Sequence, residues 1–188
     1  MRIGKTLNVQ DRKKWRAWLA KNHSTANDIW LIYYKKDSGK KRIPYNDAVE
    51  EALCYGWIDS IAKTRDAESY VQRFSPRKPN SVLSEMNKER IRRLIASGKM
   101  RKAGLAAIQR HLSTFSLTPK QFVFPKDILT AIRKNPLAWK HYQSFSLSYR
   151  RIRIGWIDGS RNRPDFFKRR LQYFISMTEK NRQFGMVR

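Results

Sequence analysis

The sequence is short of acid, of cysteine and of long apolar runs, and each shortage excludes something. Only 15 Asp and Glu stand against 41 Lys and Arg, so the formal net charge is +26 and cationic partners are repelled. Cysteine occurs once, at Cys54, which rules out an internal disulfide and suits a reducing compartment. The longest apolar run, Ile29 to Tyr34, is far below the ~18 residues of a membrane-spanning helix. No apolar stretch follows Met1-Arg2-Ile3-Gly4-Lys5-Thr6-Leu7, as a secretory leader requires. A cytoplasmic location with no transmembrane segment is therefore expected. His23, His111 and His141 stand apart, and with one cysteine they make no zinc-ligand pattern. Neither a glycine-rich phosphate loop nor a Gly-x-Ser-x-Gly elbow is present. No metal and no cofactor is expected, no catalytic residue is assigned, and the balance falls against an enzyme.

What is present belongs to a folded protein. Hydrophobic residues make up 40% of the chain, too much for a disordered basic tail. Charge is uneven. Residues 1–100 hold 22 basic and 11 acidic side chains, whereas residues 101–188 hold 19 basic and only four acidic ones, Asp127, Asp158, Asp165 and Glu179. The second half is nearly a pure cation, whose self-repulsion a bound polyanion would relieve.

The element signals change along the chain. Trp15, Trp18 and Leu19, at i, i+3 and i+4, predict a helix over 11–21. Asp28 to Tyr34 is β-branched and aromatic, which predicts a strand, and Asp37-Ser38-Gly39 predicts a hairpin returning through Arg42-Ile43. Asn46 is the expected cap of a helix with Ala48, Val49, Ala52 and Leu53 inside, ended by Gly56. Strands at Trp57 to Ile61 and Tyr70 to Phe74 follow, joined by a turn at Arg65-Asp66. Ser81 is the expected cap of a helix burying Ile91, Leu94 and Ile95 and closed by Gly98. A helix over 101–112 and a loop over 113–124 come next. From Pro125 onward the signals are helical, with Asn135-Pro136 as a start and apolar stripes such as Tyr149, Ile152, Trp156 and Phe167, Leu171, Phe174, Ile175. The expected fold class is α+β: a small antiparallel sheet with helices at the N-terminus, followed by a C-terminal all-α bundle. Its parts are an α+β domain at 1–80, connecting helices and a loop at 81–124, and a helical region at 125–188.

Two motifs carry a resemblance. Glu50-Glu51-Ala52-Leu53-Cys54-Tyr55-Gly56-Trp57-Ile58-Asp59-Ser60 and Gln72-Arg73-Phe74-Ser75-Pro76-Arg77-Lys78-Pro79-Asn80-Ser81, followed by Asn87-Lys88 and Gly98-Lys99-Met100, resemble the YdeI/OmpD-associated family of bacterial proteins, also called the bacteriocin-protection family. Phe145-Ser146-Leu147-Ser148-Tyr149-Arg150-Arg151 and Trp156-Ile157 fit the same family, so the resemblance spans nearly the whole chain. It implies a link to resistance against antimicrobial peptides, a protein partner of the cell envelope and a periplasmic setting, and it implies no assigned activity. The sequence departs from the family pattern at Val82, where Trp is common. It departs again at Pro164-Asp165-Phe166-Phe167, where a Pro-Glu-Thr-Arg-like stretch usually opens the last helix.

Three groups of residues are candidate sites. The stiff connector into the 81 helix combines cations, an aromatic and hydroxyls near exposed helix amides, so Arg73, Arg77, Lys78, Ser81, Asn87 and Lys88 form a candidate anion site. Arg150, Arg151 and Arg153 with Lys168, Arg169 and Arg170 form a candidate polyanion face, the alternative being stems that cover the core edge with solvated heads. Trp57, Asp59 and Ser60 mark a candidate pocket, in which Asp59 is read first as pairing with Arg73. Cys54 reads as a core residue, and Glu50 and Glu51 as partial neutralisation of the basic surface. No helix-turn-helix, zinc-finger or RNP signature appears, so phosphates rather than bases are the expected contact. The expected function is a non-enzymatic, strongly basic protein that binds polyanions, nucleic acid foremost. The alternatives are an envelope-stress or bacteriocin-protection factor working through a protein partner, and a small-molecule enzyme with a site near Trp57, Asp59 and Arg73.

Overall fold

The structure is a computed structural model that describes residues 2–109 and 122–185. The expectations for His111, for the end of the 101–112 helix and for most of the 113–124 loop lie outside the described residues. The chain forms two compact units: residues 2–81 and 90–109 make the first, and residues 82–89 and 122–185 the second.

The first unit is built on a four-stranded sheet, in the order β1-β2-β4-β3, from β1 (Thr6–Leu7), β2 (Ile29–Tyr34), β3 (Trp57–Thr64) and β4 (Ser69–Pro76). The pairs β2–β4 and β3–β4 are antiparallel, as expected, but β1 lies parallel to β2. With only two residues, β1 shows no alternation from which a strand could be read. The β3–β4 turn is fixed by Asp66, whose Oδ1 accepts from Glu68 N and Ser69 Oγ, both at 2.9 Å. A bulge interrupts the β3 register between Asp59 and Ala62. Helices α1 (Arg12–Asn22) and α2 (Tyr45–Cys54) cover the sheet face that carries Trp57 and Phe74. Trp15 donates from Nε1 to Ala48 O at 3.0 Å and meets Phe74 edge-on at 5.5 Å, while Trp18 meets Trp57 at 5.7 Å.

Three local expectations are corrected. The chain after β2 makes a short 3-10 turn over Lys36–Ser38 and then runs to Ile43, whose N–H bonds Val9 O at 3.1 Å, so it forms no returning strand. Pro44 has no N–H with which to extend a ladder. Helix α2 starts after Pro44 without a side-chain cap, and Asn46 serves Arg90 instead. Helix α3 (Glu85–Ala96) begins three residues later than expected: Ser84 Oγ, not Ser81, accepts from the third helical N–H, Asn87 N. Residues 85–89 of α3 count with the second unit and the rest with the first, where Ile91 and Leu94 are buried. Helix α4 (Lys102–Ile108) crosses the end of α2 at two glycines. A Cβ on Gly104 would stand 2.3 Å from Cys54 O, and one on Gly56, whose φ is +75°, 2.8 Å from Ala107 Cβ.

The second unit is all-helical among its described residues, with α5 (Lys126–Arg133), α6 (Pro136–Ser144), α7 (Leu147–Asp158) and α8 (Pro164–Glu179). Asn135 caps α6 through Ala138 N at 2.9 Å, with Pro136 at the first helical position. Ile128, Ile132, Tyr142, Phe145, Tyr149, Ile157 and Phe174 form the core, close to the stripes read from the sequence. The α+β region followed by helices is thus the observed fold class. Among the described residues no helix is long and apolar enough to cross a membrane.

Candidate functional site

The candidate anion residues are divided between the two units. Arg73, on β4, gives Nε and one terminal nitrogen to Asp28 Oδ2, each at 2.8 Å. Asp28 lies 45 positions away in sequence, and nothing in the connector points to it. Arg77 and Ser81 do meet: the Arg77 guanidinium donates to Ser81 Oγ at 2.8 Å and to Ser81 O at 3.3 Å. Arg77 is buried, and that burial lowers its pKa against the raising influence of Asp59. Lys78 is exposed and lends its carbonyl to Ser81 Oγ. Asn87 and Lys88 belong to the second unit, where Lys88 pairs with Glu85 at 2.5 Å.

Asp59 does not pair with Arg73. It accepts a 2.5 Å hydrogen bond from the Tyr45 hydroxyl, where β3 meets the start of α2. Burial first, then the charge and hydrogen bond of Asp59, raise the Tyr45 pKa. Two buried guanidiniums, Arg77 and Arg90, lie within the field of Asp59. Arg90, on α3, also donates to Asn46 Oδ1 at 2.6 Å. Tyr33 stacks on its β4 partner Tyr70 at 5.2 Å. Its hydroxyl is buried without a hydrogen-bond partner, and burial, Tyr70, Tyr45 and Asp59 raise its pKa. Of the candidate pocket residues, Asp59 joins this polar cluster. Trp57 is core, donating from Nε1 to His23 O at 3.0 Å, and exposed Ser60 gives its carbonyl to Gln72 at 3.1 Å. Tyr33 and Tyr45 escape sequence reading because aromatic residues in strands and helices are usually core.

The candidate polyanion residues divide by burial. Arg151 is 2% exposed and Arg153 6%, so neither presents an open cationic head. Arg151 pairs with Glu89 at 2.9 Å. The Arg153 guanidinium lies 4.8 to 5.8 Å from the ring centres of Phe184, Tyr149 and Trp156, and Arg150 faces Tyr142 at 5.5 Å. Arg170 lies over Trp156 at 4.6 Å and donates to Trp156 O at 2.6 Å. Lys168 and Arg169 remain exposed on α8. Beside them Phe166, 44% exposed, is held between Arg163 at 4.7 Å and Arg169 at 4.6 Å, and Tyr173 is 49% exposed. Positions 166, 169, 170 and 173 share one helical face, so two exposed rings flank the exposed guanidinium of Arg169 and the half-buried one of Arg170. The exposed Phe166 occupies the place at which the family pattern departs.

Glu50 and Glu51 do more than neutralise surface charge. Arg12 reaches Glu50 at 2.5 Å and Glu51 at 2.6 Å, Arg16 reaches Glu51 at 2.5 Å, and Arg93 lies 3.6 Å from Glu50. Cys54 is fully buried, and burial followed by the charge of Glu51 raises its thiol pKa. Among the described residues no three His, Cys, Asp or Glu side chains gather as metal ligands would.

Residues 7–107 match the family model described as Domain of unknown function (DUF8412). Residues 121–181 match the family model described as Bacteriocin-protection, YdeI or OmpD-Associated. The motifs at 50–60 and 72–81 thus fall within the first match, and those at 145–151 and 156–157 within the second. No curated protein and no solved structure matches the chain.

Proposed function

Because the chain belongs to the DUF8412 family, whose description carries no activity, its own surface must supply the reading, and we propose that it binds nucleic acid through phosphates and stacked bases on α8. The observation that carries this is the exposed Phe166 between the guanidiniums of Arg163 and Arg169, with exposed Lys168 and Tyr173 on the same helix. Single-stranded nucleic acid is held by this combination: cations follow the backbone while rings stack on bases of any identity. The overall charge of +26 draws such a partner from a distance. The proposed setting is the cytoplasm, which suits a chain with one buried, unpaired cysteine. Capture of a cationic bacteriocin by charge is disfavoured, because like charges repel.

The test is a titration against random single-stranded and duplex DNA and RNA at several salt concentrations, with heparin as the charge control. Single strands should bind in preference to heparin, with a log–log salt slope of roughly 0.7 for each phosphate engaged. Phe166→Ala should weaken single-strand binding about tenfold, and Arg169→Gln should flatten the slope by about 0.7. No binding at 50 mM salt, or equal binding to heparin, would overturn the reading.

A further inference from the structure

The chain beyond α8 doubles back and covers an arginine with a ring. Asn181 is left-handed at φ +51°, and the N–H groups of Asn181 and Arg182 bond to Thr178 O and Met177 O, each at 2.9 Å, which turns the chain at the helix end. Phe184 thereby returns to 4.8 Å from the Tyr173 ring, and its N–H donates to the Tyr149 hydroxyl at 3.0 Å. Its half-buried ring lies 4.8 Å from the Arg153 guanidinium, with Trp156 at 5.9 Å and Phe174 at 6.3 Å. Residues 181–183 and 185 are exposed, so the ring is what anchors this segment.

Phe184 fills this place without satisfying it. Arg153 is 6% exposed, and its buried Nε has no hydrogen-bond partner. A phenyl ring offers the guanidinium a face but no acceptor. Gly185 completes the cover, since a Cβ there would stand 2.7 Å from a terminal nitrogen of Arg153. Lifting residues 184–185 uncovers that guanidinium, with Tyr149 and Trp156 at 5.6 and 5.8 Å from it. A nucleotide supplies both parts: its base stacks on guanidinium and rings, and its oxygens accept from the arginine. A simple anion lacks the ring, and an apolar ring lacks the acceptor. The place also adjoins the α8 surface. Tyr173 belongs to both, Arg170 lies over Trp156 at 4.6 Å, and Phe166 stands two turns from Tyr173, about 10 Å along the helix, which leaves room for separate bases.

We infer that Phe184 is the chain's own occupant of a base-stacking pocket formed by Tyr149, Arg153, Trp156 and Tyr173, and that single-stranded nucleic acid enters it by displacing that ring. The inference rests on the α8 reading and adds to it a second base position and a built-in competitor. The full chain and its Phe184→Ala variant are titrated with random single-stranded DNA, with duplex DNA and with heparin at one salt concentration. Phe184→Ala should bind single strands about tenfold more tightly, because the strand no longer competes with a tethered ring. Duplex, whose bases are stacked within the helix, and heparin, which has none, should change little. In the parent, bound single strand should speed hydrogen exchange at the Phe184 amide, read by NMR, as that N–H leaves the Tyr149 hydroxyl. Should Phe184→Ala fail to fold, Gly185→Ala takes its place, since its Cβ pushes the segment off Arg153 while every ring is kept. If the parent binds single strands but its Phe184 amide stays as protected, or if the variant binds them no more tightly, the pocket is overturned and the α8 reading stands. A gain for heparin as large as that for single strands also overturns the pocket, because only a cation has then been uncovered. If neither chain binds single strands, both readings fall.

Discussion

The two units partner many of their arginines in different ways. In the first, acids answer the cations: Arg12, Arg16 and Arg93 converge on Glu50 and Glu51, and Arg73 on Asp28. In the second, rings take much of that role, with Arg153 among Tyr149, Trp156 and Phe184, Arg150 against Tyr142, and Arg133 over Trp139 at 4.6 Å. The cause lies in supply. Residues 101–188 contain four acids, and two of them, Asp127 and Asp158, are both taken by Arg161. A ring's negative face is a weaker partner than a carboxylate, but it brings no second charge that must also be desolvated.

Alkali should strike both units and produce the largest change. Burial raises the phenols of Tyr33 in the first unit and of Tyr142 and Tyr149 in the second, that of Tyr142 to about 12. The fold keeps these protons at a pH where the unfolded chain, with phenols near 10, has begun to release them. The resulting stability is fully present below about pH 10 and is lost as pH rises through the folded values. Each such phenol should subtract up to about 1.4 kcal/mol per pH unit above 10. Urea unfolding at pH 8 and pH 11 checks this, and equal stabilities would contradict it.

Removing an acid should strike the first unit alone. Glu51 is buried and receives both Arg12 and Arg16, so Glu51→Gln leaves two guanidiniums short of a charge. Loss of one partner from a buried pair is costly, and partial exposure of the arginines reduces the penalty to about 2–3 kcal/mol. Hydrogen exchange followed by mass spectrometry should show the loss in α1 and α2 and leave α5 to α8 protected. A loss shared equally by all helices would blur the distinction between the units.

What could be read from the sequence follows what is local. The strands at 57–61 and 70–74, the Arg65-Asp66 turn and the capped start at Asn135-Pro136 rest on neighbours in the chain, and each is found. The partners of the charged residues are remote: Asp28 for Arg73 and Glu89 for Arg151, 45 and 62 positions away. The reading of 149–153 as a cationic face failed at Arg151 and Arg153 for a physical reason. The run Tyr149-Arg150-Arg151-Ile152-Arg153 turns almost every side of α7 toward protein, so arginine is buried with its neighbours. The Tyr33 hydroxyl is hidden by the same logic, because a tyrosine in an apolar strand gives no sign of whether its oxygen will find a partner.

The smallest expected effect tests the ring-for-acid exchange most sharply. Arg153 is 6% exposed, its Nε has no hydrogen bond, and burial lowers its pKa, all marks of a charge that is only partly compensated. A Cβ on Gly185 would stand 2.7 Å from one of its terminal nitrogens, so the guanidinium fills its place closely. Arg153→Met keeps much of that volume and removes the charge. If rings repay only part of the desolvation, the variant should match the parent or exceed it by up to about 1 kcal/mol, as happens when buried ions give way to apolar side chains. Arg153→Ala should instead lose about 2 kcal/mol, because it empties the space among Tyr149, Trp156 and Phe184. Urea unfolding of the pair at neutral pH separates charge from volume. A Met variant as unstable as the Ala variant would mean that the cation itself holds those rings in place, and that the second unit treats its arginines as carefully as the first.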